Sequence, residues 1–463
     1  ETSRYDLVQA LVDEHTTRID RTHDNTGDKA FYKGHWYSDK APGGALLGVP
    51  AYAALRGVAA LTGAQPTRWQ YWRACAFLGA VAPAILLVLL LLRFLRAYVD
   101  EWWALTIALG YALGTIAYPF ASLYFSHVAA ACFLFASFFV LWRTPPGSRR
   151  WPLLLAGLLA GWAVLLEYPA ALGVVALLIY AGARERRAPF LMALGALPPA
   201  LILLGYNWIS FGARFAIGYS KLTDPYFRSG MSQGFAGVTW PKPGALARIL
   251  AGPRGLLRLS PWLAAAPFGL WSLRRPGAPR RELALGGAIA GLFLLYNAGY
   301  YQPLGGTTPG PRFLIAALPF FALLAAFAPR ASRPLIATMI VCSVALLLLA
   351  TLTAALPSQH ASDPLADVWL PQLAALDLTN TTASLAWRLT GGLPLLVLVL
   401  ALGCALLALF ATTRPQAAVR RLALGLTVLL AAGVLFFSYP LDLVSKADTS
   451  KLSAVPGPVV SRE

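Results

Sequence analysis

The stretch WPLLLAGLLAGWAVLLEYPAALGVVALLIYAGARERR, residues 151–187, sets the class of the chain. From Trp151 to Ala183 its one charged side chain is Glu167. The next four residues are Arg184, Glu185, Arg186 and Arg187. A membrane helix needs about 20 apolar residues, so this run is too long for one crossing and thin for two. A carboxylate followed by proline at Glu167-Tyr168-Pro169 breaks the run, and Pro169 cannot sit in a helix interior. The pattern predicts a hairpin of two short helices with arginines at its exit.

Working outward, similar apolar runs cover 74–92, 103–122, 126–142, 190–208, 283–300, 313–329, 334–356, 391–411 and 422–439, with a shorter one at 261–273. Together they predict an all-α polytopic membrane protein with about 12 visible membrane helices. Composition agrees: 58% of the 463 residues are hydrophobic and 13% charged, against about a quarter charged in soluble domains. An ordinary cytosolic enzyme, a disordered chain, a collagen and a disulfide scaffold are all excluded. Cys75, Cys132, Cys342 and Cys404 sit in apolar runs without metal spacing, as small buried hydrophobes do. No Gly-rich phosphate loop ending in Lys-Ser or Lys-Thr and no paired-His zinc motif is present.

The net charge of +18 first suggests nucleic acid, but its placement excludes that. Seventeen arginines fall in six alternate short loops: 93–101, 143–150, 184–187, 274–282, 330–333 and 414–421. Those loops hold only four acids: Asp100, Glu101, Glu185 and Glu282. By the positive-inside rule they face the cytoplasm. The segments 1–73, 209–260, 301–311, 357–390 and 440–463 then lie outside. The membrane blocks are 74–208, 261–356 and 391–439. With both ends outside, one further N-terminal helix is expected upstream of Glu1.

All five histidines and all seven lysines fall on the outer face, and eight of the twenty acids lie within the first 39 residues. The groups needed for acid–base chemistry are therefore concentrated in the first outer loop. Residues 4–15 pattern as an amphipathic helix lying at the interface, and 44–63 as a second one broken by Pro50 and Gly57. Residues 16–43 read as irregular.

In this loop, Tyr37-Ser38-Asp39-Lys40-Ala41-Pro42 resembles the aromatic-x-acid-Lys-x-Pro element of the GT-C glycosyltransferase superfamily. Glu1-Thr2-Ser3-Arg4-Tyr5 resembles the element that opens the family's first outer loop. Further similarities are Phe125-Ser126-His127, Glu167-Tyr168-Pro169, Tyr206-Asn207 with Phe211-Gly212, and Gly310-Pro311-Arg312-Phe313. The resemblance implies a GT-C fold and inverting transfer of a sugar from a polyprenyl-phosphate carrier to an extracytoplasmic glycan, lipid or protein acceptor. It places the enzyme in a prokaryotic plasma membrane, with its active site on the outer face. It implies Glu1 as the base, Asp28 and Asp39 as assisting carboxylates, and Arg4, His35, Lys40, Tyr301 and Arg312 as substrate-binding residues. Some family members bind a divalent metal ion near the first-loop acid, with His35 and His127 the nearest candidates here, although no ligand spacing marks a site.

The residues admit other roles. Asp28 and Asp39 also suit turns. Lys40 suits headgroup anchoring, and Arg312 suits snorkelling to the interface. Glu167 reads as a helix cap first and a substrate contact second. Aromatics and arginines in 209–260 suit sugar stacking or an interfacial belt equally. A non-catalytic GT-C-like subunit of a larger complex is the alternative to an enzyme. A transporter fits less well, because matching broken helices are missing from the two halves.

Overall fold

The computed structural model describes residues 1–381, 383–384, 390–411, 430–431, 433–434 and 437–438. Most of the run 422–439, the tail 440–463 and the side chain of Cys404 lie outside the described residues.

The chain begins with α1 (Thr2–Asp13), a β-hairpin of β1 (Lys29–Tyr32) and β2 (His35–Ser38), and α2 (Gly43–Thr62). Next come α3 (Arg68–Ala76) and α4 (Ala82–Leu95), which a single π-type turn at Phe77–Val81 joins into one helix of 28 residues. Then follow α5 (Glu101–Leu113), α6 (Ala117–Ala121), α7 (His127–Arg143), α8 (Trp151–Leu166) and α9 (Ala170–Arg184). Continuing, α10 (Ala188–Gly195) and α11 (Leu197–Phe211) lead to two short helices, α12 (Pro225–Met231) and α13 (Pro243–Ala251). The last elements are α14 (Arg280–Gly299), α15 (Leu318–Ala326), α16 (Arg333–Leu352) and α17 (Leu393–Ala411).

Local sequence explains most helix starts. Proline occupies the first turn of α8, α10, α11, α15 and α16, where its missing N–H costs nothing. Thr67 and Gln70 form a capping box on α3, and Asp100 accepts the Trp103 N–H at the start of α5.

The 151–183 run forms α8 and α9, separated at Glu167–Pro169. The 103–122 run does not stay straight: it breaks after Leu113 and resumes as α6. The 190–208 run bends by 41° between α10 and α11, where Pro198 and Pro199 cannot donate to the preceding turn. The 261–273 run is a series of short turns, Pro261–Ala265, Ala266–Leu270 and Trp271–Arg274. Among the described residues, Gly43–Thr62, Arg68–Leu95, Arg280–Gly299 and Arg330–Leu352 are long and apolar enough to cross a membrane. The bent α10–α11 pair makes a fifth. The chain is an integral membrane protein by this measure.

Residues 16–43 are more regular than their sequence suggested. Tyr32 pairs with His35 across a two-residue turn in which Lys33 and Gly34 both take positive φ, 49° and 84°. That is the type I′ geometry whose twist matches a hairpin. Helix α1 forms, yet it does not lie on a surface: Arg4, Tyr5, Asp6, Leu7 and Val8 are all buried. It packs between α2 and β2, with Ser3 bonded to Ser38 at 2.7 Å.

The bundle centres on α7, whose Phe135 and Phe138 meet Phe320 of α15 at 5.4 and 5.8 Å and whose Phe138 meets Phe94 of α4 at 5.3 Å. Lipid is as apolar as these rings, so close packing rather than the hydrophobic effect holds them together. Each aromatic pair adds about 0.5–1.5 kcal/mol.

At one end of the bundle, the four acids of the arginine-rich loops are all paired. Asp100 meets Arg333, Glu101 meets Arg96, Glu185 meets Arg187, and Glu282 meets Arg184. Two of these pairs join loops far apart in sequence.

Candidate active site

Near the first-loop hairpin, segments from four parts of the chain enclose a cavity of about 980 Å³ of empty space including its mouth. The first loop supplies Arg4, Asp28, Asp39 and Lys40; α7 and the α8–α9 break supply His127 and Glu167. Segments between α11 and α15 supply Tyr219, Tyr300 and Tyr301, and Arg312 opens the turn before α15.

Arg4 anchors the first loop to the bundle. Its Nε donates to Ser126 Oγ at 2.8 Å and its Nη2 to Glu167 Oε1 at 3.0 Å, while Nη1 is buried without a partner. Gly43 and Gly44 make this possible: a Cβ on Gly43 would lie 2.5 Å from the Leu165 carbonyl, and one on Gly44 would strike Ser126 Oγ. The start of α2 can therefore seat against the α8–α9 break. Glu167 Oε1 also lies 3.4 Å from His127 Nδ1.

Lys40 sits between two carboxylates, 2.9 Å from Asp28 Oδ1 and 3.0 Å from Asp39 Oδ2. Asp39 is buried, and one of its oxygens has no partner. Asp28 faces the open cavity, with 41% of its side chain exposed. Burial raises the Asp39 pKa, Lys40 only partly opposes that, and the nearby Asp28 charge adds to it, so this carboxyl titrates above its ordinary range. Burial also acts against Asp28, but Lys40, a hydrogen bond from it and the Arg312 charge outweigh it and hold Asp28 below the ordinary range. Burial disfavours the Lys40 ammonium, yet Asp28 and Asp39 together push its pKa up.

Arg312 differs from the other cavity cations. Among the described residues it has no ion-pair partner, and its Nε is buried without an acceptor. Its guanidinium lies 5.3 Å over the Phe313 ring.

Six of the eight sequence-predicted residues line this cavity: Arg4, Asp28, Asp39, Lys40, Tyr301 and Arg312. The other two do not. Glu1 lies behind the wall, its carboxylate accepting the Tyr124 N–H. His35 turns to Asp20 at 2.8 Å. Glu167 and His127, weighted towards structural roles in the sequence, both line the cavity. The signal for Glu167 was available: an ionisable residue inside an apolar run marks a site by default. Tyr219 carried no motif. For a metal ion, His127 and Glu167 are two donors, and the carboxylate is already held by Arg4. Among the described residues no group of three or more His, Cys, Asp or Glu could hold one. The residues do not assemble a complete ligand set.

No family model and no curated protein matches the sequence. Among solved structures, the chain is similar to the crystal structure of ArnT from Cupriavidus metallidurans in the apo state. The TM-score is 0.50 at 15% identity, over 96% of this chain and 72% of that one. At that identity the likeness is one of fold alone.

Proposed function

We propose that the protein is a membrane glycosyltransferase that moves a sugar from a polyprenyl-phosphate carrier to an acceptor hydroxyl, with inversion, at the outer face of a prokaryotic plasma membrane. The observation that carries this reading is Arg312, a cation with a buried unpartnered nitrogen in a cavity that otherwise pairs its charges. An anionic group that can offer two oxygens to the planar guanidinium suits it, and a tetrahedral phosphate does so with any pair of its free oxygens.

In the proposed step, the acceptor oxygen attacks the sugar's anomeric carbon as the carbon–oxygen bond to the carrier phosphate breaks. The electron pair leaves with the polyprenyl phosphate, whose charge Arg312 and Lys40 neutralise. The hydroxyl proton passes to Asp28, the carboxylate that faces the cavity. Lys40 couples the two events. While it holds Asp28, that carboxylate is a weak base. Phosphate drawing Lys40 away strengthens Asp28 as an acceptor at the moment the donor is in place. Glu1, the base by sequence resemblance, has the role of supporting the wall through Tyr124. Arg4, fixed by Ser126 and Glu167, offers its free Nη1 to the donor.

The test is Asp28→Asn in purified protein with polyprenyl-phosphate sugar. Transfer should fall by about 10²–10⁴-fold, the usual contribution of a positioned acid–base group, while donor binding persists. Full transfer rates in the Asp28→Asn variant refute the assignment.

A further inference from the structure

A second open cavity of about 1380 Å³ adjoins the first. The two share Tyr301, Gln302, Gly305, Gly306 and Gln359 in their walls. The partition carries no side chain at its midpoint: Gly305 and Gly306 take φ of 91° and 83°. A ligand lying in the second cavity can therefore reach over this low sill towards Asp28.

The second cavity is built rather than incidental. Arg254, 5% exposed, knits its walls together without any carboxylate. Its guanidinium donates to the carbonyls of Thr308 at 3.3 Å, Ala361 at 2.6 Å and Ser358. Arg258 and Asp363, paired at 2.6 Å, tie the stretch that carries Arg254 to the 358–363 segment a second time. Backbone segments 304–308 and 358–362 are thereby fixed before anything binds.

Its lining combines three chemistries. Tyr226 and Tyr301 present rings 6.4 Å apart, edge to face, with the Tyr226 hydroxyl held by the Gln302 amide at 3.2 Å. Gln302 and Gln359 turn their amide oxygens towards Gly306 from two sides, 3.7 and 3.8 Å from where its Cβ would be. Arg248 and His360 complete the rim, and among the described residues no Asp or Glu lines the cavity. Among the described residues, the side chains of Arg248 and Gln359 have no hydrogen-bond or ion-pair partner. Aromatic faces pack against the C–H faces of sugar rings, amides read hydroxyl pairs, and an uncompensated guanidinium takes an acidic group in bidentate fashion. An acyl chain would find the amides and charges costly to cover.

We infer that this second cavity is the acceptor subsite and takes an acidic saccharide, its sugar ring against Tyr226 and Tyr301, its hydroxyls on Gln302 and Gln359, and its anionic group on Arg248. The inference rests on the transferase reading for the word acceptor, but the binding site itself stands apart from it. The anionic group has two chemical sources, a uronic carboxylate or a sugar phosphate.

The experiment measures binding of three trisaccharides to the detergent-purified full chain: a hexuronate, a phosphorylated hexose and a neutral hexose of equal length. At least one acidic trisaccharide should bind about tenfold or more tighter than the neutral one, the value of one charge-assisted contact. Which of the two does so identifies the source. Arg248→Gln and Gln359→Leu should each remove most of that advantage, with unchanged thermal midpoints. Equal binding of neutral and acidic sugars, binding of none, or affinity indifferent to Arg248 and Gln359 overturns the inference. Donor binding measured on the same preparation separates the two readings. If Arg312→Gln leaves donor binding intact, the donor assignment fails even where the saccharide still binds at Arg248. Loss of saccharide binding with donor binding retained sinks the subsite alone.

Discussion

Replacing Lys40 by Met tests the charge arrangement on which the site depends. The substitution keeps most of the side chain's length and removes its charge, leaving Asp28 and Asp39 without their shared partner. The two contacts are unequal. Lys40 and Asp39 are 14% and 4% exposed, and breaking a buried pair typically costs about 3–5 kcal/mol because the survivor stays buried and charged. Asp28, at 41% exposed, is solvated by the cavity, and its share is at most about 1 kcal/mol. The loss near pH 8 should thus be about 3–5 kcal/mol, nearly all from Asp39. It should depend on pH with a definite sign. Asp39 already titrates above its ordinary range, and losing Lys40 raises it further. A group whose folded pKa is raised binds its proton more tightly in the folded state, so stability rises as pH falls through that value. The gap in thermal midpoint between Lys40→Met and wild-type protein should therefore be wide at pH 8 and narrow at pH 5. Adding Asp39→Asn to Lys40→Met should recover much of the loss at pH 8 in a double-mutant cycle. A gap of equal width at both pH values, or no recovery in the double variant, would refute the reasoning.

Other outcomes are expected from the same geometry. Arg312→Lys should raise the donor KM, and Arg312→Gln should lower kcat/KM by about 10–150-fold, from a charge-assisted hydrogen bond worth about 1.5–3 kcal/mol; steady-state kinetics with varied donor reads both. Because Asp28 is held below the ordinary carboxylate range, the acid limb of wild-type kcat/KM should fall below about pH 4, the unperturbed value, and Lys40→Met should move that limb upward. Gly44→Val should push α2 off Ser126 and Arg4; the expected result is loss of donor binding together with a lower thermal midpoint. Glu1→Gln should cost far less transfer than Asp28→Asn, and the reverse order in a side-by-side assay would return the base role to Glu1.

Much of the helical framework was legible because membrane spans announce themselves locally. Apolar runs and the Glu167–Pro169 break map directly onto α7, α8, α9, α14 and α16. Where the runs mislead, backbone chemistry inside them explains why: Gly114 follows the end of α5, and Pro198 and Pro199 bend the α10–α11 pair. The β-hairpin was missed because its turn is Lys33-Gly34 rather than the usual Asn-Gly. Six of the candidate site residues meet in one cavity although they lie far apart in sequence, since the motifs that singled them out are short and carried by the outer loops. That Glu167 marks a site was legible from its place inside an apolar run, but the turn of Glu167 and His127 into the cavity was not. Whether a buried acid caps its own helix or turns into a cavity depends on Arg4, which approaches from 163 residues away. That contact leaves no mark in the local sequence around Glu167. The position of Glu1 outside the cavity was not legible for the same reason: its neighbour Tyr124 belongs to a distant segment.

The Arg4–Glu167 bond has a consequence for how the protein is made. Its two ends leave the ribosome far apart in time, and Arg312 emerges later still. Long-range contacts of this kind form late, because loop closure must precede them. The first loop therefore waits, with Arg4 and the Asp28–Lys40–Asp39 cluster in water, until α8 and α9 are inserted. During that interval the loop should be open to protease in stalled translation products ending before residue 167 and protected in those ending after residue 330. The charged cavity is thus also a checkpoint of biogenesis: a chain that fails to insert its middle helices never buries its charges, and is marked as unfinished by the loop it leaves exposed.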